Sequence, residues 1–180
     1  VILSKVIDKV GGRIIVYGTP AEETNGAKVI LAEEGVFDEL DVAMMVHPAD
    51  ITAKSGTSMA LYPLQFTYKG KTAHAAACPQ DGINALNSVI QLFNGIDALR
   101  QHVTPDVRMH GIITKGGVAA NIVPDEATAQ FYFRADKKET LDDLLIKVKK
   151  IAEGAALMTG ATLEMTRYEL PNDNLITNEN

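Results

Sequence analysis

The chain has 180 residues with 17 basic and 23 acidic side chains, so its formal net charge is −6. That balance argues against nucleic acid as the main partner, since phosphate binding wants a basic face. Hydrophobic residues make up 46% and charged ones 22%, enough for a globular core. No apolar run approaches the roughly 18 residues of a membrane span, and the single cysteine, Cys78, excludes an internal disulfide and fits a reducing, cytoplasmic compartment.

Val1 to Val10 has the apolar spacing of a helix tail (Ile2, Val6, Val10), which makes the chain read as a piece of a longer protein. Arg13–Tyr17 is a short apolar run, a buried strand by pattern, stopped by Gly18-Thr19-Pro20. Glu22 and Glu23 follow side by side. A helical pattern then runs from Asn25-Gly26 through Ile30 and Leu31 to Gly35, and a second apolar run, Val42–Val46, stops at His47-Pro48. Strand, helix and strand make one βαβ unit with parallel strands, part of an α/β, doubly wound domain over residues 1–57. Ligands sit beyond the carboxyl ends of strands in such sheets, and Glu22, Glu23 and His47 all fall at that end.

After a connector near Lys54–Thr57 the pattern changes. Tyr62, Leu64, Phe66 and Tyr68 alternate with polar positions, a half-buried strand in which Pro63 suggests an edge or a strand start. A loop covers 70–81. An amphipathic helix is predicted over about 82–102, a strand over 109–114, an alternating strand over 127–133, a second amphipathic helix from Leu141 to Ala155 and a last strand over 162–170. The order β-α-β-β-α-β is the ferredoxin-like arrangement, an α+β domain over 58–171, with 172–180 as a segment returning towards the first domain.

A carboxylate pair on a strand-end loop suits a water-activating hydrolase: one acid binds a metal while the other acts as general base. His47 would be a further ligand, and zinc accepts such a mixed donor set. The bland alternatives stand beside this. Adjacent glutamates in a loop are ordinarily solvated surface, and a histidine before a proline at a strand end is ordinarily a cap or core residue. His74, among small residues in the loop 72–77, equally reads as an exposed loop residue, and Arg134 as a surface charge at a strand end. Gly82, Gly116 and Gly117 read as tight-turn positions. His102 and His110 match no motif.

The run GTPAEE-x-x-GAK at 18–28, followed about 25 residues later by an apolar strand ending in His47-Pro48, resembles metallopeptidase family 20. GKTAHAAACPQDGINAL (70–86) and GGVAANIVPDEATAQFYFRA (116–135) are similar to the signatures of its inserted lid domain. The amidohydrolase branch is the nearer one, because His47 stands where other branches often carry an acidic ligand. The resemblance implies a hydrolase of amide bonds in N-acyl or aminobenzoyl amino acids or small dipeptides. Two divalent metal ions would serve it, zinc or else manganese or cobalt.

By the same resemblance Glu22 is the general base, and Glu23 and His47 are metal ligands. His74 stabilises the oxyanion, often in the active site of the partner copy, Asn121 contacts substrate and Arg134 holds a substrate carboxylate. The lid/dimerisation domain implies a homodimer, with neither nucleic acid nor membrane as partner. Other ligands of the family are not matched in this chain, so the piece is expected to be inactive alone. Two further readings stand: a non-catalytic binding or dimerisation module on the same scaffold, and, more weakly, a nucleotide-binding domain, for which no glycine-rich turn joins strand to helix.

Overall fold

A computed structural model describes residues 3–22 and 26–176. The chain forms two compact units, Val1–Val46 and His47–Asn180. The division falls eleven residues before the expected boundary at 57/58, and residues 47–59 carry neither helix nor strand.

In the first unit a short helix, α1 (Ile7–Val10), precedes the glycine pair, and α2 (Ala27–Glu33) forms where the periodicity places it. The two strands expected beside α2 do not form. Residues 13–17 and 42–46 join no ladder, and Val16 and Val46 are 89% and 96% exposed. An apolar run becomes a strand only when a neighbour takes its N–H and C=O groups, and no described segment of this unit does so. Residues 13–17 are held instead by side chains. The Tyr17 hydroxyl donates to the Val36 carbonyl at 3.2 Å, the Tyr17 and Phe37 rings meet edge to face at 5.2 Å, and Arg13 pairs with Glu39 at 2.8 Å.

The second unit follows the predicted order: β1 (Ala60–Lys69), α3 (Ala85–Leu99), β2 (Arg108–Lys115), β3 (Glu126–Ala135), α4 (Lys138–Thr159) and β4 (Thr162–Thr166). The strands make one antiparallel sheet in the order β2-β3-β1-β4, with both helices against one face. Alternation decides which side chains go inward. Phe66 and Tyr68 from β1 and Phe131 and Phe133 from β3 are buried under Val89, Leu92 and Ile96 of α3 and Leu144 and Val148 of α4. Gly95 lets the helices touch, since a Cβ there would collide with the Ile151 side chain. The buried Tyr68 hydroxyl donates to the Ala152 carbonyl at 3.1 Å, and burial pushes its ionisation well above the ordinary tyrosine value. No described helix is long and apolar enough to cross a membrane.

Three expectations change in detail. The third helix starts after Asn84, whose side chain accepts from the Asn87 N–H, rather than at Gly82, which is extended. Pro63 sits in the central strand, not at an edge or a start. The Leu61 N–H donates to Asn172 on the β4 side of β1, so two residues on the proline's missing N–H faces the same side. There the β4 ladder begins only at Gln65, so the sheet loses no bond. The last strand stops at Thr166 rather than reaching 170, because the chain then turns over the helix-free face. Tyr168 donates to the Phe131 carbonyl at 3.4 Å, and Glu169 accepts from Tyr132 at 2.6 Å.

Candidate functional site

In the first unit Glu22 is exposed in the turn after Ala21, whose backbone is left-handed at φ 56° and whose carbonyl accepts from Gly26 at 2.9 Å. Its expected neighbour, Glu23, lies outside the described residues. His47, in the second unit, is exposed, with Nδ1 2.8 Å from the carbonyl oxygen of Pro48. Among the described residues no three His, Cys, Asp or Glu side chains gather as a metal ion would need. Glu22 and His47 have the right donor chemistry, but the described residues alone do not make up a metal site.

The second unit gathers two of its predicted residues. The loop after β1 and the loop before β3 run antiparallel, joined by Val123 N–H to Ala73 O at 3.0 Å, Ala75 N–H to Asn121 O at 3.0 Å, and Ala85 N–H to Pro124 O at 2.8 Å. The glycines permit this approach. A Cβ at Gly82 would stand 3.0 Å from the Ala73 Cβ and 3.1 Å from Val123, so Gly82 is there for close packing rather than for a turn. Gly117 has φ 118°, where only glycine is comfortable, and lies against Pro124. His74 thereby sits opposite Ile122, next to Asn121. Its Nδ1 accepts from the Ala76 and Ala77 N–H groups, both at 3.2 Å. In the neutral ring the proton therefore resides on Nε2, a donor pointing away from the loop backbone. His74 and Asn121 are both exposed, and the Asn121 amide bonds no other described residue.

Arg134 is elsewhere. It is the penultimate residue of β3, paired in register with Leu61 and Arg108, on the face without helices. Its guanidinium lies over the Tyr132 ring at 5.7 Å, and its Nε is buried without a hydrogen-bond partner. Asn121 and His74 stand at the other end of the sheet, beyond the Lys69–Glu126 pair. From Glu126 to Arg134 is eight residues, roughly 26 Å at about 3.3 Å each. One small molecule does not touch both ends of a single sheet.

Beside Arg134 lies a group that motif matching missed. Tyr132, Tyr168, Glu169 and His110 line an open cavity of about 430 Å³. The His110 and Tyr132 rings are 5.7 Å apart, and those of Tyr132 and Tyr168 5.5 Å. The hydrogen bond to Glu169 raises the Tyr132 ionisation, and burial followed by the Tyr132 hydroxyl raises that of Tyr168. The alternation of β3 already put Tyr132 and Arg134 on one face. Glu169 gave no such signal, because it stands past a strand end that only the structure fixes.

Residues 63–158 match the family model described as a peptidase dimerisation domain. The chain is 39% identical over 93% of its length to the Xaa-Arg dipeptidase of Mus musculus, and 36% identical over 86% to one of the p-aminobenzoyl-glutamate hydrolase chains of Escherichia coli (strain K12). It spans 39% and 32% of those two proteins. The aminobenzoyl-glutamate utilization protein from Klebsiella pneumoniae shares the fold, with a TM-score of 0.60 and 23% identity over 67% of this chain and 30% of that one. With the family model matching from within β1 to within α4 and the Mus musculus relative aligned over 93% of the chain, the chain belongs to metallopeptidase family 20 and contains its peptidase dimerisation domain.

Proposed function

We propose that the complete protein is a homodimeric hydrolase of amide bonds in N-acyl or aminobenzoyl amino acids or small dipeptides. The observation that carries the reading is the His74–Asn121 pair: an imidazole whose Nδ1 is occupied by two backbone amides and whose Nε2–H is free to donate, beside an uncommitted side-chain amide. Such donors suit a carbonyl oxygen as it becomes an oxyanion. The relatives named for dipeptide and aminobenzoyl-glutamate hydrolysis support the bond type. In this reading Glu22 takes the proton of the attacking water and passes it to the nitrogen as the C–N bond breaks. Arg134 grips the carboxylate of the amino-acid part through its planar fork. Two divalent cations, zinc or else manganese or cobalt, belong to the same reading, with Glu23 and His47 as this chain's contribution to holding them.

The separation of Arg134 from His74 supports the dimer. A dipeptide spans about 7 Å, so a substrate held by Arg134 of one copy meets His74 and Asn121 only if a second copy supplies them. The experiment is complementation in the complete protein. His74→Ala and Arg134→Ala should each lose activity, the former by roughly 10²–10³ in kcat. A refolded mixture of the two should regain about a quarter of the wild-type rate, from one intact site in each mixed pair. No recovery, with dimers demonstrably mixed, overturns the shared site. A well-folded dimer without turnover on any acyl amino acid or dipeptide returns the protein to the class of binding modules.

A further inference from the structure

Three loop segments are laced together at the end of the sheet that carries His74. Lys71 and Ile83 exchange both backbone hydrogen bonds, each at 2.9 Å. Further along, the same stretch bonds Val123 through the Ala73 carbonyl and Asn121 through the Ala75 N–H, both at 3.0 Å. The segment that holds Ile83 is tied to the last one as well, since the Ala85 N–H donates to the Pro124 carbonyl. His74 lies between the two 3.0 Å bonds, opposite Ile122. Its neighbours Ala73 and Ala75 are half-buried and His74 is exposed, the alternation of a strand, so the backbone of 73–75 decides where the imidazole points.

Gly82 stands in the wedge where these segments meet. Its backbone is extended, at φ −96° and ψ 161°, a conformation open to any residue, so the path of the chain does not ask for glycine. Space does. A Cβ there would stand 3.0 Å from the Ala73 Cβ, 3.1 Å from Val123 Cγ1 and 3.2 Å from the Lys71 carbonyl oxygen. Carbon atoms settle at about 3.5–4.0 Å from one another, so the neighbours would have to give by a few tenths of an ångström. Lys71 and Ala73 belong to the stretch leading into His74, and Val123 to the segment bonded to it. A displaced Ala73 therefore carries the imidazole with it. The ring cannot absorb the shift by turning without giving up the Ala76 and Ala77 N–H groups that hold its Nδ1.

We propose that Gly82 is a positioning residue for His74: the missing side chain at 82 sets how deeply the loop after β1 seats against the loop before β3, and so where the Nε2–H is aimed. The consequence for turnover rests on the proposed function, while the placement of the ring is read without turnover. Gly70 differs, because a Cβ there would run into the Ile83 carbonyl and break the Lys71–Ile83 exchange outright. Gly82 is the graded position, where a methyl displaces the loop rather than unlacing it.

The test compares three variants of the complete protein. Gly82→Ala fills the wedge, Gly82→Ala with Ala73→Gly removes the nearest contact, and Val123→Ala opens the wedge by taking atoms away. Nitrogen NMR signals of the histidine rings, with His74 assigned through His74→Ala, report which ring nitrogen carries the proton. N-acyl amino acids and dipeptides report kcat and KM. Gly82→Ala should shift the His74 ring signals and lower kcat about tenfold with KM within about twofold, and adding Ala73→Gly should return both most of the way. Val123→Ala, which cannot fail by overpacking, should mix the two tautomers of His74. A purely structural glycine gives another pattern: a lower melting temperature, with ring signals and kcat of the folded protein as in the wild type. That result overturns the proposal, as does a Gly82→Ala defect that Ala73→Gly leaves untouched. If Gly82→Ala does not fold, unchanged His74 signals in Val123→Ala overturn it alone. Ring signals that respond in a protein hydrolysing no amide would keep the positioning and remove the reaction; amidase activity indifferent to all three variants would do the reverse.

Discussion

The two units respond differently to the same kind of sequence. Val42–Val46 is as apolar as any strand of the sheet, yet Val42, Met44, Met45 and Val46 are between 66% and 96% exposed. In β3, Ala127, Ala129, Phe131, Phe133 and Ala135 are at most 1% exposed. The difference lies in partners. β3 has a strand on each side and two helices over one face, so backbone and side chains are satisfied together. Among its described residues the first unit offers its apolar runs two short helices, α1 and α2, and no ladder. Hydrophobicity marks a segment that wants burial, and pairing decides whether it becomes a strand.

The sharpest way to break that contrast is to truncate one apolar side chain in each unit. Phe131→Ala should cost roughly 3–5 kcal/mol, because the ring contacts Phe66, Phe93 and Phe133 in a closed core. Val46→Ala should stay within about 0.5 kcal/mol. Denaturant titration of this chain reads both, and a multi-kilocalorie cost at Val46 would show that the second run is buried after all. A smaller effect is expected at the helix crossing. Gly95→Ala forces a methyl into Ile151 and should destabilise by roughly 1–3 kcal/mol despite the better helix propensity of alanine. A gain in stability there would mean that α3 and α4 can part at little cost.

The smallest effect concerns acid. The Thr104 side chain and the Asp136 N–H bond the Asp106 carboxylate and hold it below the usual carboxylate range. A lowered folded value gives stability that is present above the unfolded value of about 4 and is lost as pH falls through the folded one. Asp106→Asn should therefore flatten the acid limb of the melting temperature against pH while leaving the first unit untouched. Parallel curves for the two proteins would remove Asp106 from that limb.

The order of elements in the second unit was legible because β1 and β3 alternate and each helix carries one apolar stripe, from Tyr62–Tyr68 to Leu141–Ala155. What failed depended on neighbours. Pro63 looks like an edge residue until the register shows that its missing N–H faces a gap in the β4 ladder. That residues 13–17 and 42–46 join no ladder could not be read from their composition, since no local residue announces a missing partner. His74 and Asn121 were found through motifs, and the hydrogen bonds between their loops bring them together. Arg134 came from the same motif as Asn121, but strand length carries it to the far end of the sheet. Sequence distance hid that, because thirteen residues of loop would have kept the two close.

The second unit is entered and left side by side. Leu61 and Asn172 exchange both backbone hydrogen bonds, at 2.8 and 3.0 Å, and the Leu175 N–H donates to the Ser58 hydroxyl at 2.9 Å. The incoming and outgoing segments are therefore fastened side by side at this bridge, about 5.5 Å apart. The same adjacency makes the sheet a cassette: everything between the paired residues can be cut out and bridged by a short turn, or carried into another host by grafting at a single point.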